Sequence, residues 1–469
     1  MWTDVNRREF LTRAGMGFGS LAAGSLLSGQ LSGQRTTGGT AKSVISLFMH
    51  GGPSHLDTFD PKPLLNKLHG KLVPESFGDV RLQFSTFKER PILGSGRQFA
   101  RHGTAGLEIS DLFPHLARHA DKLAVIRSMN HDGFTHTAAL NWLNNGWPRL
   151  GRPSVGSWVV YGLGSEAQNL PAFVVMLEGG IKSGPPVYGA GFLPAMYQAT
   201  TLRSSGAPIL YANRAEGVTE NTQRDMLDNL RWFNGKHQAA RADDTDLSAR
   251  MAAYELAFKM QIAVPELSDL SKESAATKAL YGLDNPVTAE FGTRCLMARR
   301  LVERGVRFVQ LWSGTSTGEG DWDGHKGCEK GHEKQAAKTD KGVAGLLEDL
   351  AARGLLDSTL VTWGGEFGRT PTSDGNANGG GDNLGRDHNP YGFSIWMAGG
   401  GIRGGKVIGS TDEIGLRAVQ DPVHVHDLHA SILAMLGLDH EKLTFPFQGR
   451  DFRLTDVHGN TSLVGKLRA

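Results

Sequence analysis

The sequence predicts an α/β protein in which a mostly parallel central sheet is flanked by helices on both faces. Two observations predict this class. Short runs rich in Val, Ile and Leu follow segments with helical periodicity, and glycines such as Gly305 and Gly354 stand where those helices should end. Segments rich in Gly, His and Asp then follow the proposed strands, as is typical of sheets whose ligands bind at the carboxyl ends of the strands.

The predicted elements follow the chain in order. Strands are expected at 43–49, 123–127, 306–312, 358–363 and 393–398. Helices are expected at 112–120, 291–304, 341–353 and 425–436. The region 197–283 has charged helical runs without clear strands, so it is predicted to be a helical insertion or cap on one domain spanning 41–469.

Composition excludes several classes of protein. The 469 residues can bury a large core, and 50 Lys+Arg against 48 Asp+Glu leave a net charge of +2, which gives no electrostatic footprint for nucleic acid. The two cysteines, Cys295 and Cys328, have no zinc-binding spacing and are expected to be unpaired. The sequence has no Walker A loop, no HExxH motif and no convincing GxSxG nucleophile elbow.

Residues 1–40 are predicted to be an export signal and a flexible connector. Arg7 and Arg8 precede a Gly/Ala/Leu-rich stretch, an arrangement that resembles a twin-arginine signal. The stretch is too short and too rich in glycine to favour a membrane anchor. We therefore expect a periplasmic or extracytoplasmic protein that meets the membrane only through this signal.

Candidate ligands for a divalent metal follow the predicted strands. Carboxylates and imidazoles from loops far apart in sequence can converge at one edge of a parallel sheet. Zn²⁺, Ca²⁺ and Mg²⁺ all remain open as the ion. The candidate metal ligands are His50, Asp57, Asp323, His325, Glu366 and His388, and the candidate catalytic residues are Thr135, His136 and Arg369.

Each candidate also has a structural interpretation. Asp323 can cap a loop beside a surface His325, and Glu366 can form a buried salt bridge with Arg369. Thr135 precedes a predicted helix, where Ser and Thr are common capping residues. For Thr135, capping is the favoured interpretation and nucleophilic attack the alternative.

Six blocks of the sequence resemble those of domain-of-unknown-function family 1501, a family of twin-arginine-exported bacterial proteins within the alkaline phosphatase/sulfatase superfamily. The blocks are MHGGPSHLDTFDPKP, VIRSMNHDGFTHTAAL, DWDGH, LVTWGGEFGRTP, GRDHNPYGFSIWMAGGGIRGG and HVHDLHASILAMLGL. The resemblance extends over essentially the whole chain. It implies the alkaline phosphatase/sulfatase-like fold and a metal site that stabilises a sulfate or phosphate ester during displacement.

The resemblance also implies roles for particular residues. Asp323 and His325 match the metal-binding group after a middle strand, and His388 matches the last histidine. Glu366 matches the first member of the next metal-binding pair, and Thr135 stands in the nucleophile-like place.

The function implied is that of an exported hydrolase acting on a small-molecule or polysaccharide ester, with Arg369 or Arg386 holding the anion. The alternative is an exported binding or surface-associated protein that keeps the fold with a degenerate site.

Overall fold

A computed structural model gives the structure of the chain and describes residues 38–82, 87–203, 216–239, 245–316, 321–374 and 384–469. Its strands are β1 (Ser43–Met49), β2 (Phe99–His102), β3 (Leu107–Ser110), β4 (Ala124–Asn130), β5 (Phe173–Met176), β6 (Thr200–Leu202), β7 (Phe308–Ser313), β8 (Thr359–Gly364), β9 (Gly368–Ser373), β10 (Arg386–Asn389), β11 (Phe393–Gly399), β12 (Lys406–Ile408), β13 (Ser410–Thr411), β14 (Ala418–Gln420), β15 (Val423–His424), β16 (Phe445–Phe447) and β17 (Arg450–Phe452). Its α-helices are α1 (His55–Thr58), α2 (Pro63–Lys67), α3 (His136–Asn145), α4 (Val155–Leu163), α5 (Glu220–Ala239), α6 (Thr245–Ser268), α7 (Ala275–Leu280), α8 (Ala289–Glu303), α9 (Cys328–Ala352), α10 (Val425–Met435) and α11 (Ser462–Arg468).

Within the described ranges, one nine-stranded sheet organises the fold. Its strand order is β12-β4-β11-β8-β1-β7-β5-β6, and β15 adds to β4. β1 pairs in parallel with β7 on one side and with β8 on the other, so that Ile45 lies opposite both Val309 and Val361. β11 runs antiparallel to both β4 and β8. The sheet is therefore mostly parallel, which confirms the predicted fold class.

The two faces of the sheet bury separate cores. On β1, Ile45 and Leu47 belong to the core that also includes residues of α8 and α9. Val44 and Phe48, on the opposite face, belong to the core that includes residues of α4 and α10. Because both faces of β1 are covered, apolar side chains of this strand point to both faces, as expected for a central parallel strand.

Most predicted elements form close to their predicted bounds. The strand at 43–49 is confirmed at both ends, and those at 306–312, 358–363 and 393–398 form as β7, β8 and β11. Gly305 (φ 85°) and Gly354 (φ 67°) follow the ends of α8 and α9, as glycine can adopt this left-handed backbone readily. The helix expected at 112–120 is instead a 3₁₀ segment, Leu116–Lys122, with a non-helical backbone at His119.

The region 197–283 differs from the prediction in one respect. It contains α5, α6 and α7, but it also contributes β6, which pairs in parallel with β5 at the edge of the sheet. Three residues were too few for the alternation that reveals a strand in sequence. Met260 and Val264 of α6 are buried in the main core, so this helix packs against the body of the protein.

Three other features complete the description. Cys295 and Cys328 are both buried with free thiols. The export signal predicted at 1–40 lies almost wholly outside the described residues, which begin at 38. Within the described ranges, no helix combines the length and apolarity that a membrane crossing requires.

Candidate metal centre

The topology brings the candidate residues to one edge of the sheet. β4, β8, β1 and β7 run in the same direction, so the loops that leave their carboxyl ends meet there. β11 runs the opposite way, so its amino end lies at this same edge. This direction explains why His388 precedes a strand whereas Asp323 and Glu366 follow strands.

Asp323 lies at the centre of a cluster of three histidines. Its Oδ1 is 3.2 Å from His325 Nε2 and 3.4 Å from His388 Nε2, and these two nitrogens are 2.9 Å apart. Its Oδ2 is 3.0 Å from His136 Nε2. One ligand atom from each of these four residues falls within 4.8 Å of the others, an arrangement that could hold a metal ion.

The three histidines share one orientation. Each directs Nε2 toward Asp323 and places Nδ1 against an oxygen acceptor, so that a hydrogen bond at Nδ1 fixes the orientation of each ring. The acceptors are Glu366 Oε1 for His136 (2.8 Å), Asp374 Oδ2 for His325 (2.5 Å) and the carbonyl oxygen of Phe134 for His388 (2.9 Å). A ring that carries its proton on Nδ1 has an Nε2 lone pair that can ligate a cation.

Opposing effects set the charges of the cluster. Burial alone raises the pKa of Asp323, but Arg369 and the hydrogen bonds of His136 and His388 outweigh it and hold that pKa well below its usual range. Burial lowers the pKa of His388 to about 3, so the ring is neutral at physiological pH. In Glu366 burial raises the pKa, but the hydrogen bond from His136 and the nearby imidazoles of His50 and His136 together outweigh burial and lower the pKa to about 2.

A second group of potential ligands adjoins the first. His325, Asp374 and Asp387 also bring one ligand atom each within 4.8 Å of the others. Asp387 Oδ2 is buried without a hydrogen-bond partner in the described residues, and burial together with the nearby Asp374 raises the pKa of this carboxyl. His325 links the two groups through its two ring nitrogens.

Asp57, which was predicted to be a metal ligand, is not brought into the cluster. Its Oδ2 lies 3.0 Å from Arg386 Nε and accepts a hydrogen bond from Ser54, while Oδ1 accepts one from Ser95. Protein donors therefore occupy both carboxylate oxygens. In this structure Asp57 is the ion-pair partner of a buried arginine.

His50 lies beside the cluster without facing Asp323. Its Nδ1 is 3.1 Å from the carbonyl oxygen of Thr315, and its Nε2 accepts a hydrogen bond from the backbone of Lys182. Its ring centre is 6.4 Å from that of His136. Both nitrogens thus have protein partners, and the structure does not bring His50 into the group of potential ligands.

The arginines predicted to hold an anion are already engaged. The Arg369 side chain is fully buried, donates to Asp323 Oδ1 at 2.7 Å, and also donates to the carbonyl oxygens of Gly51, Gly52 and Arg386. Arg386 donates to Asp57 and to several carbonyl oxygens. The guanidinium groups of both arginines are thus hydrogen-bonded within the protein, and Arg369 stabilises the Asp323 carboxylate.

Thr135 occupies the N-cap position of α3. Its backbone is extended (φ −111°, ψ 148°), and its hydroxyl oxygen accepts from the Ala138 N–H at 3.5 Å. This geometry matches the capping interpretation that the sequence favours.

Two residues of the cluster were missed from the sequence. Lys182 Nζ lies 2.6 Å from Asp323 Oδ2 and 3.2 Å from Asp321 Oδ2. Asp321 stands two positions before Asp323, so the Asp-x-Asp spacing was an available signal. No pattern in the sequence marks Lys182, because a lysine in a glycine-containing loop is typical of an ordinary surface position.

Fold and site together define an α/β protein with a cluster of Asp and His at the carboxyl edge of a mostly parallel sheet. The family model described as "Protein of unknown function (DUF1501)" matches residues 41–463. The chain therefore belongs to the DUF1501 family, as the sequence blocks predicted. No curated protein matches the chain in sequence.

Solved structures of phosphatases and sulfatases overlap with the chain loosely. The PsFucS1 sulfatase from Pseudoalteromonas sp. is 13% identical, with a TM-score of 0.39, covering 94% of this chain and 75% of that one. The alkaline phosphatase from the Antarctic bacterium TAB5 is 11% identical, with a TM-score of 0.34, covering 87% of this chain and 100% of that one. Overlaps of this size carry no activity over to the chain.

Proposed function

We propose that this protein is an exported, metal-dependent hydrolase of sulfate or phosphate esters, with a small-molecule or polysaccharide substrate. One observation carries the proposal: three histidines present Nε2 to the carboxylate of Asp323 while oxygen acceptors hold their Nδ1 atoms. Histidines that only stabilise a fold have no need of this shared orientation, whereas histidines that ligate a metal almost always have it.

The donor set fits a divalent cation. Asp323, His325 and His388 would hold it, and a site of two imidazoles and one carboxylate with an open position is a common catalytic zinc site. Nitrogen donors favour Zn²⁺ or another transition metal over Ca²⁺ and Mg²⁺, which prefer oxygen. A bound cation would supply Lewis-acid stabilisation of the charge that develops on the ester oxygens.

The residues of the chain would supply the remaining functions. Arg369 keeps Asp323 ionised and in place. His136 is fixed by Glu366, and its side chain is 14% exposed, so its Nε2 can hold or move a proton beside an ester bound at this edge.

Export by the twin-arginine route belongs to the same proposal. Its support is the pair Arg7 and Arg8 ahead of a mildly apolar stretch. Such signals serve proteins that cross the membrane folded, so a metal could be acquired in the cytoplasm.

A second candidate function is an exported binding protein with a degenerate site. It is favoured by the position of Thr135, whose hydroxyl accepts from the Ala138 N–H at 3.5 Å as a helix-capping residue does. This candidate keeps the fold without turnover.

Metal content and turnover, measured together, separate the two candidates. Protein purified after native export is expected to contain a transition metal and to hydrolyse para-nitrophenyl sulfate or phosphate. Asp323→Asn and His388→Ala are each expected to lose the metal and lower turnover by orders of magnitude. His440→Ala is the matched control, because this buried histidine bonds to Thr455 outside the cluster. Metal-free wild-type protein without turnover would favour the binding protein, and metal retained by both variants would place the ion elsewhere.

A further inference from the structure

The Lys182 ammonium lies among the donor atoms of a potential metal site. Its Nζ is 2.6 Å from Asp323 Oδ2, 2.9 Å from His136 Nε2 and 3.2 Å from Asp321 Oδ2. Two carboxylate oxygens and one imidazole nitrogen are typical ligands of a divalent metal. The single positive charge of the Lys182 ammonium therefore occupies a position whose surrounding ligand atoms suit a divalent cation.

The surroundings of Lys182 are built as a ligand set. His136 is oriented through Nδ1 by the buried carboxylate of Glu366, the same arrangement that supports metal-ligating histidines. Asp321 is 5% exposed, and its Oδ2 has the ammonium of Lys182 as an ionic partner but no well-formed hydrogen bond in the described residues. A buried carboxylate oxygen of this kind is costly unless a cation compensates it.

Asp323 joins the Lys182 group to the proposed metal site. Its Oδ1 faces His325 and His388, and its Oδ2 faces Lys182. In sites with two metal ions, the ions lie a few ångströms apart, and one carboxylate can serve both. The two oxygens of Asp323 thus face two neighbouring positions, one beside His325 and His388 and one that the Lys182 ammonium occupies.

We propose that the Lys182 ammonium takes the place of a second divalent cation, so that the chain binds one metal ion, and that removing it opens a second metal position. The ligands of that position would be Asp321, Asp323 Oδ2 and His136. This inference rests on the proposed metal site at Asp323, His325 and His388 for the first ion.

The test is the number of metal ions bound. Chelated protein would be titrated with Zn²⁺ in a calorimeter, and the bound metal counted by elemental analysis after gel filtration. Wild type should bind one ion in the cluster, and both Lys182→Met and Lys182→Gln should bind two. Adding Asp321→Asn to Lys182→Met should return the count to one. Lys338→Met is the matched control, because Lys338 makes a similar 2.6 Å ion pair with Glu178 outside the cluster, and it should bind one ion.

Each outcome bears on the inference separately from the proposed function. When wild type binds one ion, a count of one in the Lys182 variants overturns the inference and leaves the metal-dependent hydrolase standing. A count of two in wild type does the same. A third outcome is that wild type binds no ion while Lys182→Met binds one, and that adding Asp321→Asn abolishes that binding. This result supports a metal position that Lys182 occupies, and it removes the metal from the wild-type mechanism. Zero in both overturns both ideas.

A measurement on wild type alone covers the case in which the Lys182 variants do not fold. Protein loaded with excess Co²⁺ should show the electron paramagnetic resonance signal of isolated Co²⁺. A spin-coupled pair would overturn the inference.

Discussion

Glu366 and His136 form a hydrogen bond of 2.8 Å between Oε1 and Nδ1, and this bond fixes the direction in which His136 faces. Glu366 is fully buried, and its two oxygens also accept from the Gly51 N–H at 2.9 and 3.1 Å. Burial alone would lower the pKa of His136, but the hydrogen bonds to Asp323 and Glu366 raise it above its ordinary value. The two acidic residues therefore control the basicity of this ring.

Glu366→Gln is expected to lower the pKa of His136 in metal-free protein. Removing one neighbouring negative charge should shift it by about one unit or more, because burial then opposes the charged ring with less compensation. A histidine titration by NMR measures the shift. Glu348→Gln is the control, since Glu348 pairs with His119 instead and should leave His136 unchanged. An unaltered His136 pKa in Glu366→Gln would show that the bond does not set its basicity.

Much of the site could be predicted, because the carboxyl ends of parallel strands lie at one edge of a sheet whatever the order of the strands. The apolar run of β1 and the Gly-terminated helices α8 and α9 predicted parallel strands. Parallel strands place the loops after them at one edge, whatever their order in the sheet. Asp323, His325 and Glu366 follow parallel strands and were expected together on this basis, whereas His388 reaches the same edge because the strand that it precedes, β11, runs antiparallel to its neighbours.

The direction of a side chain could not be predicted in the same way. Asp57 follows β1 at the right edge, but the short helix α1 turns it toward Arg386. Lys182 lies in the loop after β5, a strand of only four residues that the sequence did not reveal. The edge of the sheet at which a residue lies can be predicted from the periodicity of the sequence. The direction of its side chain depends on contacts between residues far apart in the chain.

Asp57→Ala is expected to destabilise the fold without changing metal binding. It leaves the buried charge of Arg386 unpaired, which typically costs about 3–5 kcal/mol of unfolding free energy. Denaturant unfolding measures the loss, and metal analysis of the folded variant checks the ion. Asp439→Ala is a suitable control, because its pair with the exposed Lys442 should contribute less than about 1 kcal/mol. Loss of metal from folded Asp57→Ala would instead identify Asp57 as a ligand.

His131 should make stability depend on pH in the acid range. The ring is buried, its Nδ1 accepts from Gly133 N–H, and its Nε2 donates to the carbonyl oxygen of Glu366, so the fold holds it neutral. Burial lowers its pKa from 6.5 to about 4. Between these two values the unfolded chain binds a proton that the folded chain excludes. Stability therefore falls as pH falls through this window, by on the order of 3 kcal/mol from this residue.

The comparison of His131→Gln with wild type isolates that contribution. The variant should be less stable at pH 7, but its unfolding free energy should fall less steeply from pH 6.5 to 4. Other buried histidines affect both proteins equally. Parallel curves of unfolding free energy against pH for the two proteins would refute the assignment.

Export is expected to depend on the arginine pair. Changing Arg7 and Arg8 together to Lys should leave the protein in the cytoplasm, because this route requires the pair rather than positive charge alone. Fractionation of cells that express each form measures it. Arg13→Lys, in the same segment, should be exported normally. Normal export of the double variant would exclude the twin-arginine route.

Thr135→Ala is expected to lower stability and leave turnover nearly normal. Its hydroxyl accepts from Ala138 N–H at 3.5 Å, a long bond that places the loss at or below about 1 kcal/mol, the usual value for a cap. A nucleophile would behave in the opposite way, with turnover lower by orders of magnitude and stability little changed. Ser274→Ala removes the corresponding cap of α7, where the bond to Thr277 N–H is 3.0 Å, and so calibrates the stability change far from the cluster. Melting temperature and ester hydrolysis should be measured on the same preparations. If Thr135→Ala abolishes turnover while melting like wild type, Thr135 is the nucleophile and its position at the start of α3 serves chemistry rather than folding.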